Sequence, residues 1–137
     1  MRFASGTFIR RGDMFALQRR DANAPTNPNK LSLFGGSGEP GETAHDCAVR
    51  ELREETSLQF RPDDVVPIME YYRSDARRMQ YIFELRTSAE DFEVFEGLGF
   101  EWHHAKELID NQETTLGLQE ALRKYMEMKG KIDVSAN

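Results

Sequence analysis

The sequence predicts an α/β layered fold on three observations: short runs in which apolar residues alternate, helical stretches interleaved with those runs, and a length of 137 residues that suits one hydrophobic core. Phe3 to Arg10 and Met14 to Arg20 read as two strands joined at Arg11-Gly12-Asp13, a hairpin turn signal. Asp21 to Lys30, rich in proline and asparagine, reads as a loop. Leu31 to Phe34 reads as a short strand entering the glycine-rich stretch Gly35 to Gly41. Thr43, with Asp46 three residues on, has the arrangement of a capping box and opens a helix that runs to about Thr56. Val65 to Arg73 and Met79 to Arg86 read as strands around the turn Ser74-Asp75-Ala76, and Phe100 to His103 as one more. Ala105 to Asp110 is a short helix. Thr115 to Met128 is a longer amphipathic one, with Leu118, Leu122 and Tyr125 on one side. A short polar tail is expected from about residue 130, its end running from Asp133 to Asn137. One domain over residues 1–137 is the expected organisation.

Composition narrows the function. A content of 39% hydrophobic and 31% charged residues permits a packed core under a solvated surface and does not suggest disorder. No apolar run approaches the roughly 20 residues needed to span a bilayer, so no membrane is expected as a partner. The N-terminal segment lacks the apolar centre of a signal peptide, and the expected location is the cytoplasm. Cys47, the single cysteine, has no partner for an internal disulfide. The formal net charge of −6 argues against duplex nucleic acid as a partner, because such binding needs a basic surface to displace counterions. An acidic protein that handles a phosphate-bearing substrate must offset the repulsion locally, and divalent cations are the simplest means.

The helix from Thr43 to Thr56 carries the chemical signal. At 3.6 residues per turn, Ala44, Cys47 and Ala48 form the core-facing stripe, yet Glu51 and Glu55 point into that stripe and Glu54 lies on its edge. Charges on a buried side are costly unless paired or bound to metal. The spacing brings three carboxylates within reach of a hard cation such as Mg²⁺. The plainer alternative, helix-favouring surface residues paired with Arg50 and Arg53, is not removed by spacing alone.

The pattern extends well beyond that trio: Gly36, then Glu42, then Arg50-Glu51-Leu52, then Glu54-Glu55, ending at Ser57-Leu58. It closely resembles the Nudix box, G-x5-E-x7-R-E-U-x-E-E-x-G-U with U a bulky aliphatic residue, and departs from it only at Ser57, where the family has glycine. The resemblance implies an α/β/α sandwich with a mixed central sheet, and a hydrolase that uses Mg²⁺, with Mn²⁺ as a substitute, on a nucleotide-like diphosphate substrate. By position it implies Glu51, Glu54 and Glu55 as metal ligands, aided by the carbonyl of Gly36, with Glu42 and Arg50 as a supporting ion pair. The run Glu96-Gly97-Leu98-Gly99-Phe100-Glu101-Trp102 resembles the E-G-x3-E-W segment of the family's nucleoside-triphosphate branch and makes Glu96 the candidate further ligand, with Glu93 and Glu101 as substitutes. The general base stays open among Glu51, Glu54 and Glu96. Serine at position 57 is expected to cost about 1 kcal/mol at a helix end that wants a left-handed backbone. Gly38, where relatives often carry an aliphatic residue, is expected to loosen the loop.

Substrate recognition is less legible. Arg19 and Arg20, at the end of the second strand, are candidate phosphate contacts. Arg73, Arg77 and Arg78 form a second basic group at a hairpin tip, with a role in substrate or subunit contact to be considered. Tyr71, Tyr72, Phe8 and Trp102 are weighed as base-stacking residues against a role in the core. His103 and His104 lack zinc spacing, and His45 is expected on the surface. Three readings remain: an active pyrophosphohydrolase on a nucleoside triphosphate or a nucleoside diphosphate linked to another group, a Nudix-fold nucleotide sensor without turnover, and an interaction protein with an incidental acidic helix. The intact glutamate set favours the first. Many relatives are dimers, so a homodimer is an open expectation.

Overall fold

In a computed structural model, residues 2–136 are described, with side chains as far as residue 130. The chain runs β1 (Phe3–Arg11), β2 (Met14–Arg19), β3 (Leu31–Ser32), β4 (Phe34–Ser37), α1 (Ala44–Glu55), β5 (Val65–Arg73), β6 (Arg78–Arg86), β7 (Phe100–His104), α2 (Ala105–Leu108) and α3 (Leu116–Ala136), with a 3-10 turn at Pro62–Asp64 before β5. The strands form one mixed sheet. β1 pairs with β6 in parallel, from Phe3 opposite Met79 to Arg10 opposite Arg86, and the other pairings are antiparallel. β1 also pairs with β4, and β2 pairs with β3 and β7.

Alternation along the strands sends successive side chains to opposite faces and builds two cores. On one face Phe8, Phe15, Leu17 and Ile82 pack with Leu118, Ala121, Leu122 and Tyr125 of α3. On the other, Ile9, Ala16, Phe83 and Leu85 pack with Ala48, Val49 and Leu52 of α1. The result is the α/β/α sandwich with a mixed sheet that the sequence resemblance implied.

Element boundaries differ from expectation in instructive places. The predicted strand from Leu31 to Phe34 breaks at Leu33, because β3 adds to β2 while β4 adds to β1. α2 stops at Leu108, and Asp110 beyond it takes a left-handed φ of 62°. α3 begins where the Thr115 hydroxyl accepts the Leu118 N–H, and it continues past Met128. The side chains of the expected polar end from Asp133 lie outside the described residues, as does Asn137 altogether. Among the described residues, no helix is long and apolar enough to cross a membrane.

Candidate active site

Thr43 caps α1 by accepting the Asp46 N–H at 3.0 Å, and burial of Cys47, Ala48, Val49 and Leu52 fixes the rotation of the helix against the sheet. That rotation leaves Glu55 with 2% of its surface exposed, while the Glu51 side chain keeps 14% and the Glu54 side chain 53%. The register between β1 and β4 sets Gly36 opposite Ser5, directly under Glu51. A Cβ on Gly36 would stand 2.6 Å from Glu51 Oε1, so the missing side chain is what admits the carboxylate.

Arg50 organises the neighbourhood. Its Nε donates to Glu42 Oε2 at 2.7 Å and its Nη2 to Glu42 Oε1 at 3.0 Å, a bidentate pair that ties the glycine-rich loop to α1. Nη2 also donates to the Ser37 carbonyl, and Nη1 reaches Glu51 at 3.0 Å and Glu54 at 3.2 Å. The guanidinium holds the Glu42 carboxyl down at about 2, helped by the Glu39 N–H, and Arg50 is itself raised by the same bond. Burial has the opposite effect on the inner carboxylates. It pushes Glu55 up to about 9, reinforced by the charges of Glu51 and Glu96, and it pushes Glu51 upward as well, against the pull of Arg50.

Glu96 is brought to this group by a splice between the end of α1 and the loop before β7. Ser57 N–H donates to the Glu93 carbonyl, the Ser57 hydroxyl accepts the Glu93 N–H at 2.8 Å, Thr56 bridges Val94, and Phe95 N–H donates to the Glu55 carbonyl. Glu96 thereby lines the cleft together with Glu55 and Gly36. Glu101 is elsewhere, held by Arg19 at 2.7 Å and by His103 at 2.9 Å, and it is lowered by the Arg19 guanidinium.

Do these residues suit a cation? Among the described residues, no three His, Cys, Asp or Glu side chains are drawn together as a ready metal cage. Arg50 Nη1 instead bridges Glu51 and Glu54. Yet Glu55 Oε2 is buried with no hydrogen-bond partner, and the charge of Glu96 adds to the burial that raises both Glu51 and Glu55. A partnerless buried carboxylate oxygen beside two more carboxylates fits a hard cation.

The cleft has a volume of about 370 Å³. Gln18 and Arg20 line it, whereas Arg19 between them on the strand turns the other way, to Glu101, Glu113 and the Asn29 carbonyl. Arg73, Asp75, Arg78 and Gln80 line the cleft as well, as do Thr115 to Leu118 at the start of α3. None of the aromatic candidates lines the cleft. Phe8 is core, Trp102 donates to the Glu90 carbonyl, Tyr71 lies under Lys124, and Tyr72 is exposed. His45, expected on the surface, is half-buried, with Nε2 within 3.1 Å of the Pro62 and Val65 carbonyls.

Two expectations about the box are corrected. Ser57 is not among the residues with positive φ; α1 ends at an extended Thr56 whose N–H and hydroxyl both return to the Leu52 carbonyl, so no left-handed residue is needed and serine is unstrained. Gly38 has a packing reason, since a Cβ there would lie 2.1 Å from the Phe3 ring. Gln18, Gln80 and the Ser57–Glu93 splice were missed by sequence reasoning; a polar residue inside an apolar strand was the available signal for the two glutamines.

A comparison with family profiles matches the NUDIX domain over residues 2–125. Among solved structures the chain is similar to the MutT protein from Methanosarcina mazei Go1, at a TM-score of 0.74 and 20% identity over 93% of this chain and 94% of that one. It is similar to the E. coli dihydroneopterin triphosphate pyrophosphohydrolase at a TM-score of 0.68 and 20% identity, over 90% and 93%. A third likeness is to a bifunctional NMN adenylyltransferase/ADP ribose pyrophosphatase from Francisella tularensis, complexed with AMP and Mn ion, at a TM-score of 0.72 and 16% identity over 92% of this chain and 41% of that one. A comparison with curated proteins finds no match. Fold and site together define a hydrolase of phosphorus-containing acid anhydrides. The chain belongs to the Nudix family.

Proposed function

We propose that the chain is a Mg²⁺-dependent pyrophosphohydrolase, with Mn²⁺ as a substitute, that cleaves a phosphoanhydride in a nucleoside triphosphate or in a nucleoside diphosphate linked to another group. The carrying observation is the buried Glu55 Oε2, which has no hydrogen-bond partner, near Glu51 and Glu96 in a cleft that Arg20, Arg73 and Arg78 also line. Glu51, Glu54, Glu55, Glu96 and the Gly36 carbonyl would hold the cation, which supplies charge to neutralise phosphate oxygens and to favour ionisation of the attacking water. Glu42 and Arg50 hold the loop and helix in register, so that Gly36 and Glu51 stay apposed. Arg20 faces the cleft as a phosphate contact, and Arg19 supports that strand end through Glu101. Glu96, on a loop and exposed, is the freest carboxylate and the best placed to take a proton from water. A free, buried Cys47 suits a cytoplasmic enzyme. The names of two structural neighbours, a triphosphate pyrophosphohydrolase and an ADP-ribose pyrophosphatase, bracket the substrate classes to be tried.

The test is release of phosphate or pyrophosphate with Mg²⁺ across nucleoside triphosphates, nucleotide sugars and dinucleoside polyphosphates, with Glu54→Gln as control. Cation-dependent turnover that the variant loses supports the reading. Tight cation-dependent nucleotide binding with no turnover of any compound replaces it with the sensor.

A further inference from the structure

The cationic wall of the cleft is an unusual piece of an acidic protein. Arg73 and Arg78 are direct cross-strand partners at the end of the β5–β6 hairpin, an arrangement of like charges that disfavours the pairing. Both are half-buried and both line the cleft. Arg73 is answered by Asp75, at 2.6 Å. Arg78 has no carboxylate partner among the described residues; its Nη1 donates to the Ser37 hydroxyl at 3.2 Å, and its Nε is buried without a hydrogen bond. Burial and the neighbouring charges of Arg73 and Arg2 depress its basicity, with only Asp75 opposing. Ser37 links this arginine to the reaction centre, because its carbonyl accepts from Arg50. The first turn of α3 abuts the same wall, with Gly117 so close to Arg73 that a Cβ there would lie 2.8 Å from Nη1. Among the described residues, no aromatic side chain lines this cleft to stack on a base. An uncompensated, half-buried guanidinium beside a second one wants an anion, and a phosphate matches its donor geometry.

We propose that Arg78, with Arg73, binds a phosphate group of the substrate that lies beyond the scissile anhydride, so that nucleotides carrying a further phosphate are preferred to those carrying a neutral sugar. This rests on the reading that the cleft takes a phosphoanhydride, and it narrows that reading to one substrate class. A merely structural arginine predicts something different, since its removal would lower the melting temperature and leave selectivity alone.

The experiment has two arms. In the first, binding of inorganic tripolyphosphate to the cation-free protein is followed by calorimetry for the wild type, Arg78→Gln, Arg78→Lys and Arg73→Gln. The glutamine variants are expected to bind at least tenfold more weakly, Arg78→Lys to recover part of the loss, and Arg78→Gln to melt no lower than the wild type. In the second, kcat/KM is compared for ATP and ADP-glucose, which share base and scissile group. Arg78→Gln is expected to lose tenfold or more on ATP, chiefly in KM, and under twofold on ADP-glucose. Unchanged tripolyphosphate binding in both glutamine variants, no binding by the wild type, or equal losses on the two nucleotides overturns the proposal. If the wild type turns over nothing, the enzymatic reading fails while the first arm still decides this one.

Discussion

Glu42 and Glu55 belong to one motif, and their surroundings drive them in opposite directions. Glu42 sits against Arg50 and is held at about 2, so it contributes stability above its ordinary value of 4.5 and loses it as pH falls toward 2. Glu55 is raised from 4.5 to about 9, chiefly by burial. Between those values the folded protein keeps a proton that the unfolded chain has released, so cation-free stability falls as pH rises through that window. The melting temperature measured in chelator is therefore expected to decline from about pH 5 to about pH 9, and Glu55→Gln to flatten that slope whatever its offset. On the proposed role of Glu55 as a cation ligand, Mg²⁺ would compete with the proton for the carboxylate, so its stabilising effect is expected to be larger near pH 8 than near pH 6. A slope unaltered by Glu55→Gln would place the linkage elsewhere. Gly38 offers a second test at this scale. The Phe3 ring occupies the space of its missing Cβ and packs edge-on to Tyr81, so Gly38→Ala is expected to destabilise by about 1–3 kcal/mol in denaturant unfolding. A neutral result would favour loop looseness as the reason for the glycine.

Elements set which of these groups meet. The loop bearing Glu96 is fastened to the end of α1 by the paired bonds between Ser57 and Glu93 and by Phe95 to the Glu55 carbonyl. Ser57→Gly removes one hydroxyl bond, worth about 0.5–1.5 kcal/mol, and frees a position that carries no left-handed strain. The expected outcome is a several-fold weaker Mg²⁺ dependence with little change in global melting, read by titrating the cation against turnover. Full retention of that dependence would mean the remaining backbone bonds suffice. The helical period placed Glu51, Glu54 and Glu55 around α1, the motif resemblance singled them out as a site, and their graded exposure follows the rotation read from the sequence. Strand alternation would likewise have parted Arg20 from Arg19, since neighbours on a strand face opposite ways, and only Arg20 lines the cleft. The break at Leu33, the Ser57 splice and the apposition of Arg73 with Arg78 depend on pairings between distant segments, which no local pattern encodes.

At the scale of the whole molecule, the sheet separates two apolar layers with different duties. The layer under α1 holds the carboxylates in place; the layer under α3 secures the opposite face and delivers only the first turn of that helix to the cleft. Both signs of charge meet in the cleft, which Glu55 and Glu96 line together with Arg20, Arg73 and Arg78, within a chain of net charge −6. Leu52 and Leu122 are both fully buried, one in each layer. Truncating either to alanine is expected to cost about 2–5 kcal/mol, because each leaves a cavity of similar size in a packed core. Their effects on chemistry should diverge. Leu52 lies one residue from Glu51 on the helix whose rotation aims the carboxylates, so collapse of its cavity lets α1 turn or shift, and catalytic geometry tolerates little displacement. Leu122 is well along α3 from Gly117, and its cavity opens on the far side of the sheet. At a temperature where both variants remain folded, Leu52→Ala is expected to lower kcat by about tenfold or more, and Leu122→Ala to keep a kcat close to that of the wild type. Equal losses in kcat would show that the sheet transmits packing defects from one layer to the other, and that the site depends on both cores and not on the seating of one helix.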